Sequence, residues 1–291
     1  MAVVCRNLRA FAQKTSSLRC TPNFLRLYSQ SKPAPPKLVT VDVDKAGVAT
    51  VTLDRPPVNS LNTGLLEELG VAIKDLEANK TRGIILTSSS NSVFSAGLDI
   101  LEMYEPKKQN LSLFWTTLQN TWLSLYRTSI PTVAAINGHA PAGGCLLALS
   151  CEYRVMVGPK FTIGLNETQL GIVAPQWFMI CMKDAVGRRQ AEMALTAGKM
   201  FSTQEALNIG LIDKMVSNKE EAIAEAQKFI AQFAKIPPLA RRMTKESIRQ
   251  EGIKYMEENA IDDLKAFMDL VVQPNIQKGL GMYLEAMKKS K

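Results

Sequence analysis

Residues 132–157 read TVAAINGHAPAGGCLLALSCEYRVMV, and the order of textures in this stretch sets the fold class. Thr132-Val133-Ala134-Ala135-Ile136 is an apolar run of strand length, partly β-branched. Asn137-Gly138-His139-Ala140-Pro141 interrupts it with turn residues. Ala142-Gly143-Gly144 then opens an apolar helix, Cys145–Ser150, and Tyr153-Arg154-Val155-Met156-Val157 is a second strand. Strand, turn, helix and strand in that order make a βαβ unit, whose strands run parallel.

The same alternation continues upstream. Val41-Asp42-Val43 and Val48–Leu53 alternate around Lys45-Ala46-Gly47, the pattern of a hairpin that Pro56-Pro57 ends. Leu65, Leu69, Ala72 and Leu76 recur at helical spacing within 63–79, with Leu66 and Ile73 beside them. Gly83–Thr87 is a short buried strand, and Leu111, Phe114, Leu118, Trp122 and Leu125 mark a helix over about 111–128. Beyond about residue 176 the strand signals shrink to short pieces. Helical spacing takes over in Ile223/Ala226/Ile230/Phe233, Ile261/Leu264/Met268 and Ile276/Leu280/Tyr283/Met287. The expected class is α/β: a largely parallel core followed by a helical tail, with no internal sequence repeat.

The chain has 291 residues and a formal charge of +8, but the charge is unevenly placed. Met1 to Val41 contains no acid, while Arg6, Arg9, Lys14, Arg19 and Arg26 lie among Ser, Thr and Leu. That composition is the mark of a mitochondrial transit peptide over residues 1–28, with a cut expected in Arg26-Leu27-Tyr28-Ser29. A linker, 29–39, follows around Ser31-Lys32-Pro33-Ala34-Pro35-Pro36. Without residues 1–28 the remainder carries +3, so no nucleic-acid surface is expected. The competing reading is a basic arm that binds RNA. Cys5, Cys20, Cys145, Cys151 and Cys181 show no CxxC spacing, and neither a zinc set nor a disulfide framework is expected. No apolar run reaches the ~18–20 residues that span a bilayer, so no membrane partner is expected.

A single histidine, His139, rules out metal sites built on a His pair. No GxSxG elbow accompanies it, and no GxxxxGK[ST] loop is present. A packed turn histidine is the simpler reading. Two glycine turns share one context. Phe94-Ser95-Ala96-Gly97-Leu98-Asp99 follows the strand ending near Thr87, and Ala142-Gly143-Gly144-Cys145 follows the strand ending at Ile136. Such turns leave their first N–H groups unpaired. Facing one another, they form an oxyanion hole; apart, they are two helix starts, with Asp99 as a cap. One carboxylate stands out in Ile163-Gly164-Leu165-Asn166-Glu167-Thr168-Gln169-Leu170-Gly171-Ile172. Glu167 reads as a first-turn acid behind an Asn166 cap, as a general base in an apolar pocket, or as both at once.

FSAGLD, AINGHAPAGGC, LNETQLGI and STQEALNIGLID, in that order over about 40–290, resemble the crotonase (enoyl-CoA hydratase/isomerase) superfamily, and most of all its mitochondrial Δ3,Δ2-enoyl-CoA isomerase branch. The resemblance implies a spiral of ββα units over 40–200, a C-terminal helical trimerisation region over 201–291, a homotrimer and a place in the mitochondrial matrix. It implies an acyl-CoA thioester substrate and no cofactor, coenzyme A being part of that substrate. It assigns the oxyanion donors to Leu98 and Gly143, the acyl-CoA lining to Ala96, Gly97, Leu98, Asp99 and Ile100, a substrate contact to Asn166 and the base to Glu167. Arg55 and Lys278 become candidate partners of CoA phosphates.

Two departures shape the expectation. Where hydratases of the family carry a second glutamate (GGGCE), this chain has Leu146. A lone carboxylate is poorly equipped to add water, but it can move one proton from C2 to C4. The expected reaction therefore converts a 3-enoyl thioester to the trans-2-enoyl thioester in fatty acid β-oxidation. A 2-enoyl-CoA hydratase and a non-catalytic RNA-binding family member remain as alternatives. Where many members place a phenylalanine over the adenine, this chain reads Asp269-Leu270-Val271-Val272, and an aliphatic residue is expected to substitute.

Overall fold

The computed structural model describes residues 36–289; the expected transit peptide, and the linker before residue 36, lie outside them. The fold opens with the anticipated hairpin, β1 (Val39–Val43) against β2 (Val48–Leu53), antiparallel with Val41 opposite Val51. Asp44 closes its turn by accepting the N–H groups of Ala46 (2.8 Å) and Val48 (3.0 Å). Helix α1 (Thr63–Ala78) starts at Asn62, whose side chain accepts the N–H of Leu65 and so satisfies one of the donors a helix start leaves open. Leu65, Leu66, Leu69, Ile73 and Leu76 form its buried stripe.

The chain then winds between two sheets. β3 (Gly83–Ser88), α2 (Lys108–Arg127), β4 (Thr132–Ile136), β5 (Ala140–Pro141), α3 (Gly143–Ser150), β6 (Tyr153–Val157) and β7 (Thr162–Gly164) follow in order. After α4 (Gln176–Val186), α5 (Arg188–Ala197), β8 (Phe201–Ser202) and α6 (Thr203–Asn208) comes β9 (Lys214–Val216). The large sheet runs β1-β2-β3-β4-β6-β9, parallel from β2 onward, and a small sheet runs β5-β7-β8. The turns from β4 onward each give one strand to the large sheet and one to the small, β4 with β5, β6 with β7 and β9 with β8, and α3, between β5 and β6, is buried along its whole length. This is the spiral of ββα units. β3 and β4 are buried at every residue, as expected for strands covered on both faces.

The division expected at residue 200 falls inside this core. β8 and β9 extend the two sheets, and α7 (Lys219–Ala231) packs on β4 and β6. The described residues from Lys37 onward group as one compact unit, and the helices beyond the spiral are α8 (Pro238–Ile248), α9 (Gln250–Val271) and α10 (Pro274–Lys289). Polar groups dock them. Buried Asp263 on α9 accepts from Trp115 Nε1 (2.7 Å), Gln119 Nε2 (2.8 Å) and Trp177 Nε1 (3.2 Å). Glu152 pairs with Lys245 (3.0 Å) and with Arg241. Cys145, Cys151 and Cys181 are free and buried, packed as small hydrophobes. No helix among the described residues is long and apolar enough to cross a membrane.

Candidate active site

The two glycine turns face one another at the C-terminal ends of β3 and β4. His139 donates its N–H to Ser92 O (2.9 Å), and Phe94 donates to His139 O (2.9 Å), so the segments run side by side as a short parallel bridge. Glycines permit the approach: a Cβ on Gly144 would collide with Ser95 O, and one on Gly143 would lie 3.3 Å from Leu98 N. On its other side the first segment is paired with 58–61, Leu61 donating to Gly97 O (2.8 Å) and Asp99 to Leu61 O (3.0 Å). In a parallel pairing the residue between those two bonds turns its own N–H the opposite way. The Leu98 N–H therefore points away from Leu61, toward the start of α3.

Gly143 is the first residue of that helix, where an N–H has no intrahelical acceptor. Ala142 before it sits at φ 49°, ψ −120°, a sparsely populated conformation costing on the order of 1–3 kcal/mol. Ala142 N donates to Gly164 O (2.8 Å), which fixes the turn against β7. Among the described residues neither the Leu98 nor the Gly143 N–H donates to another backbone group. Two unpaired amides beside a helix N-terminus form a ready receptor for negative oxygen.

Glu167 reaches the same place through the small sheet. β5 and β7 are parallel, with Ala140 opposite Ile163 and Pro141 opposite Gly164, so the segments leading to Gly143 and to Glu167 leave from the same end. The Cys145 thiol, pushed well up by burial, is raised further by the Glu167 charge, a mark of their closeness. Glu167 begins a 3₁₀ turn, Glu167–Leu170, closed by Gly171 at φ 75°. It is 5 % exposed, and among the described residues neither carboxyl oxygen has a hydrogen-bond partner. Desolvation lifts its pKa to about 7, and its own main-chain amide opposes this only in part. Ile163 and Leu165 are fully buried beside it in sequence, while Leu170 and Ile172 are half-buried.

The helix-start reading holds for Glu167, an acid in the first turn, and fails for the Asn166 cap. Asn166 occupies the cap position, but its side chain caps nothing, and its Oδ1 is buried without a partner. An orphaned ionisable group in an apolar site is costly, and such groups concentrate where chemistry is done. Leu146 is fully buried in α3, so the position of the family's second glutamate is apolar.

The other expected residues divide. Gly97 is buried and Leu98 half-buried in the first turn, while Ala96 is exposed and Ile100 half-buried along the same edge. The Asp99 carboxylate is committed: it accepts the Leu101 N–H (3.1 Å) and pairs with Arg55 (2.8 Å). Arg55, a candidate for either a CoA phosphate or a solvated surface charge, is held by Asp99 and donates to Ser60 O (3.0 Å). Lys278 is exposed on α10. In the Asp269–Val272 stretch Val271 is fully buried, Leu270 is half-buried and Val272 is 56 % exposed. The nearby aromatic, Phe267, is stacked on Trp115 with centroids 3.5 Å apart. His139 is a packed turn residue, its Nδ1 3.0 Å from Thr162 Oγ1. Sequence reasoning passed over Asn59 and Ser95, both buried. An Asn after Pro-Pro, a residue type that tolerates positive φ, was the available signal.

The sequence profile described as enoyl-CoA hydratase/isomerase matches residues 44–290. The chain belongs to this family. Among enoyl-CoA hydratase/isomerase relatives it is 43 % identical over 258 residues to mouse mitochondrial enoyl-CoA delta isomerase 1, covering 88 % of this chain and 89 % of that one. A Dictyostelium discoideum relative named as a probable mitochondrial enoyl-CoA hydratase is 33 % identical, over 72 % of this chain and 78 % of that one. The crystal structure of human mitochondrial Δ3,Δ2-enoyl-CoA isomerase superposes with a TM-score of 0.84 at 42 % identity, covering 87 % of this chain and 99 % of that one.

Proposed function

We propose that this protein is a mitochondrial Δ3,Δ2-enoyl-CoA isomerase, converting 3-enoyl-CoA, cis or trans, to trans-2-enoyl-CoA in fatty acid β-oxidation. One observation carries the reading: Glu167 is, among the described residues, the single carboxylate with both oxygens buried and unpartnered, and the position of the second family glutamate is Leu146. The thioester carbonyl sits against the Leu98 and Gly143 amides, with Asn166 Oδ1 as a further substrate contact. Glu167 takes a proton from C2, the C–H electrons form a C1=C2 bond, and the carbonyl pair moves to oxygen, giving a dienolate conjugated with C3=C4 whose oxygen charge the two amides bind. One such donor contributes about 3–4 kcal/mol in other enzymes. The protonated Glu167 then delivers its proton to C4. A pKa of about 7 suits both halves of this transfer.

The resemblance of the family motifs supports a homotrimer. The acid-free basic stretch in residues 1–28, together with relatives named as mitochondrial, supports import into the matrix. Glu167→Gln is the direct test: isomerase turnover should collapse while octanoyl-CoA binding persists. Retained turnover removes Glu167 from the mechanism. Equal amounts of enzyme on 3-octenoyl-CoA and 2-octenoyl-CoA should isomerise the first far faster than they hydrate the second. The opposite ranking would make the protein a hydratase. A salt-dependent shift of labelled RNA would favour the RNA-binding alternative.

A further inference from the structure

The Leu98 half of the oxyanion receptor is not held by its own loop. Residues 94–99 are zipped along one edge to 58–61. Ala96 donates to Val58 O (2.9 Å), and the two Leu61 bonds described above continue the pairing. At the centre of the zip lies Asn59, 2 % exposed and at φ 50°. Its Oδ1 accepts the Arg55 N–H (2.7 Å), and its Nδ2 donates to Ser88 Oγ (2.7 Å) and Phe94 O (3.2 Å). Its carbonyl accepts from Ser95 Oγ (2.7 Å), and that same hydroxyl oxygen accepts the Gly97 N–H (3.2 Å). A second tie, the Arg55–Asp99 pair, closes the far end. Ser88 ends β3 and donates to Val93 O (2.7 Å), so Asn59 references the loop to the end of a buried strand.

We propose that Asn59 is a positioning residue, and the 55–61 segment a splint, that sets the direction of the Leu98 N–H in the oxyanion receptor. The proposal rests on the reading of Leu98 and Gly143 as that receptor. The chemistry of the position favours it over a purely structural role. Glycine would supply the same positive φ with less strain, so what asparagine adds is its three side-chain bonds, and two of them end on the strand and loop that carry Leu98. A receptor preorganised in this way loses effect steeply with small displacements.

Asn59→Gly keeps the backbone conformation and removes the side chain; Ser95→Ala cuts the relay from Asn59 O to the Gly97 N–H. Each is assayed in the full chain with 3-octenoyl-CoA. The expected result is a fall in kcat of roughly ten- to hundredfold with KM within about twofold, since ground-state binding uses the whole acyl-CoA. Acetoacetyl-CoA supplies a spectroscopic reading. The wild type should draw the bound ligand toward its ultraviolet-absorbing enolate, and both variants should bind it with that signal lost. Unchanged kcat and an intact enolate signal in either folded variant overturn the proposal, as does a rise in KM with kcat preserved. If Asn59→Gly does not fold, Ser95→Ala decides alone. If the wild type fails to isomerise 3-octenoyl-CoA but shows an Asn59-dependent enolate signal, the isomerase reading fails and the splint stands.

Discussion

Glu167 is where the chemistry of a single residue becomes measurable. Its folded pKa, about 7, lies above the ordinary 4.5 because the pocket is dry. Between those values the folded chain holds a proton that the unfolded chain has released. The stability associated with the protonated form is therefore intact below about pH 4.5 and is lost as pH rises to 7. At 1.36 kcal/mol per pKa unit the full penalty above pH 7 is about 3 kcal/mol. Glu167→Gln should accordingly raise the urea midpoint at pH 8 and leave it unchanged at pH 4, while abolishing turnover. No gain at pH 8 would mean that the carboxylate is not buried in solution. The same titration should govern activity: kcat/KM rises with pH as the free enzyme's base ionises, with its midpoint near pH 7. Leu146→Glu puts a second carboxylate on the wall of α3. Weak hydration of 2-octenoyl-CoA should appear, and its complete absence would mean that Leu146 is not the main barrier to that reaction.

The start of α3 shows what an element contributes. Its first amide is useful because Ala142 holds an unfavourable conformation and because Gly144 lies against Ser95 O. Gly144→Ala forces the two turns apart. Activity should fall on the order of a hundredfold, along with the enolate signal of bound acetoacetyl-CoA, and near-normal kcat would show that the turns tolerate separation. The strands and helices framing these turns were legible beforehand. β4 and β6 match their expected bounds because apolar, β-branched runs flanked by turn residues have few alternatives. β5, β7 and β8 were not legible. At two or three residues each, they are too short to carry a period, and their pairing comes from partners distant in sequence.

At the scale of the molecule, the C-terminal helices are docked by charge as much as by apolar contact. Lys245 donates to Thr128 O (2.7 Å) and Glu152 (3.0 Å), and Arg249 to Tyr126 O (2.7 Å) and Ser150 O (2.8 Å). The cations thus meet carbonyls at the C-terminal ends of α2 and α3, a favourable placement against the helix dipole. Burial pushes the Glu152 carboxyl up, but Lys245 and Arg241 outweigh it and hold it below its usual value. Burial pulls Lys245 down to about 8. Removing the acid strands two buried cations, so Glu152→Gln should destabilise by about 3–5 kcal/mol, read from urea denaturation at pH 7. A loss below 1 kcal/mol would mean that water reaches the cluster. Lys245 adds a pH signature. From about pH 8 to 10.5 the unfolded chain binds the proton that the folded chain has lost, so this group's contribution to stability improves with rising pH. Lys245→Met should remove that component from the stability profile.

The amino-acid order by itself determined the α/β class, the parallel core strands, the two glycine turns and the lone acid, since each is a local pattern of size, branching and polarity. It left open whether Asn166 caps a helix, whether the turns meet, where the spiral ends and what Arg55 holds. Those were decided by tertiary structure, because each depends on which distant backbone lies opposite. Ser95 O against Gly144, Leu61 zipped to Gly97 and Asp99, and β5 beside β7 are pairings of segments tens of residues apart. The two glycine turns meet, and the segment carrying Glu167 runs beside them, only once those pairings have formed.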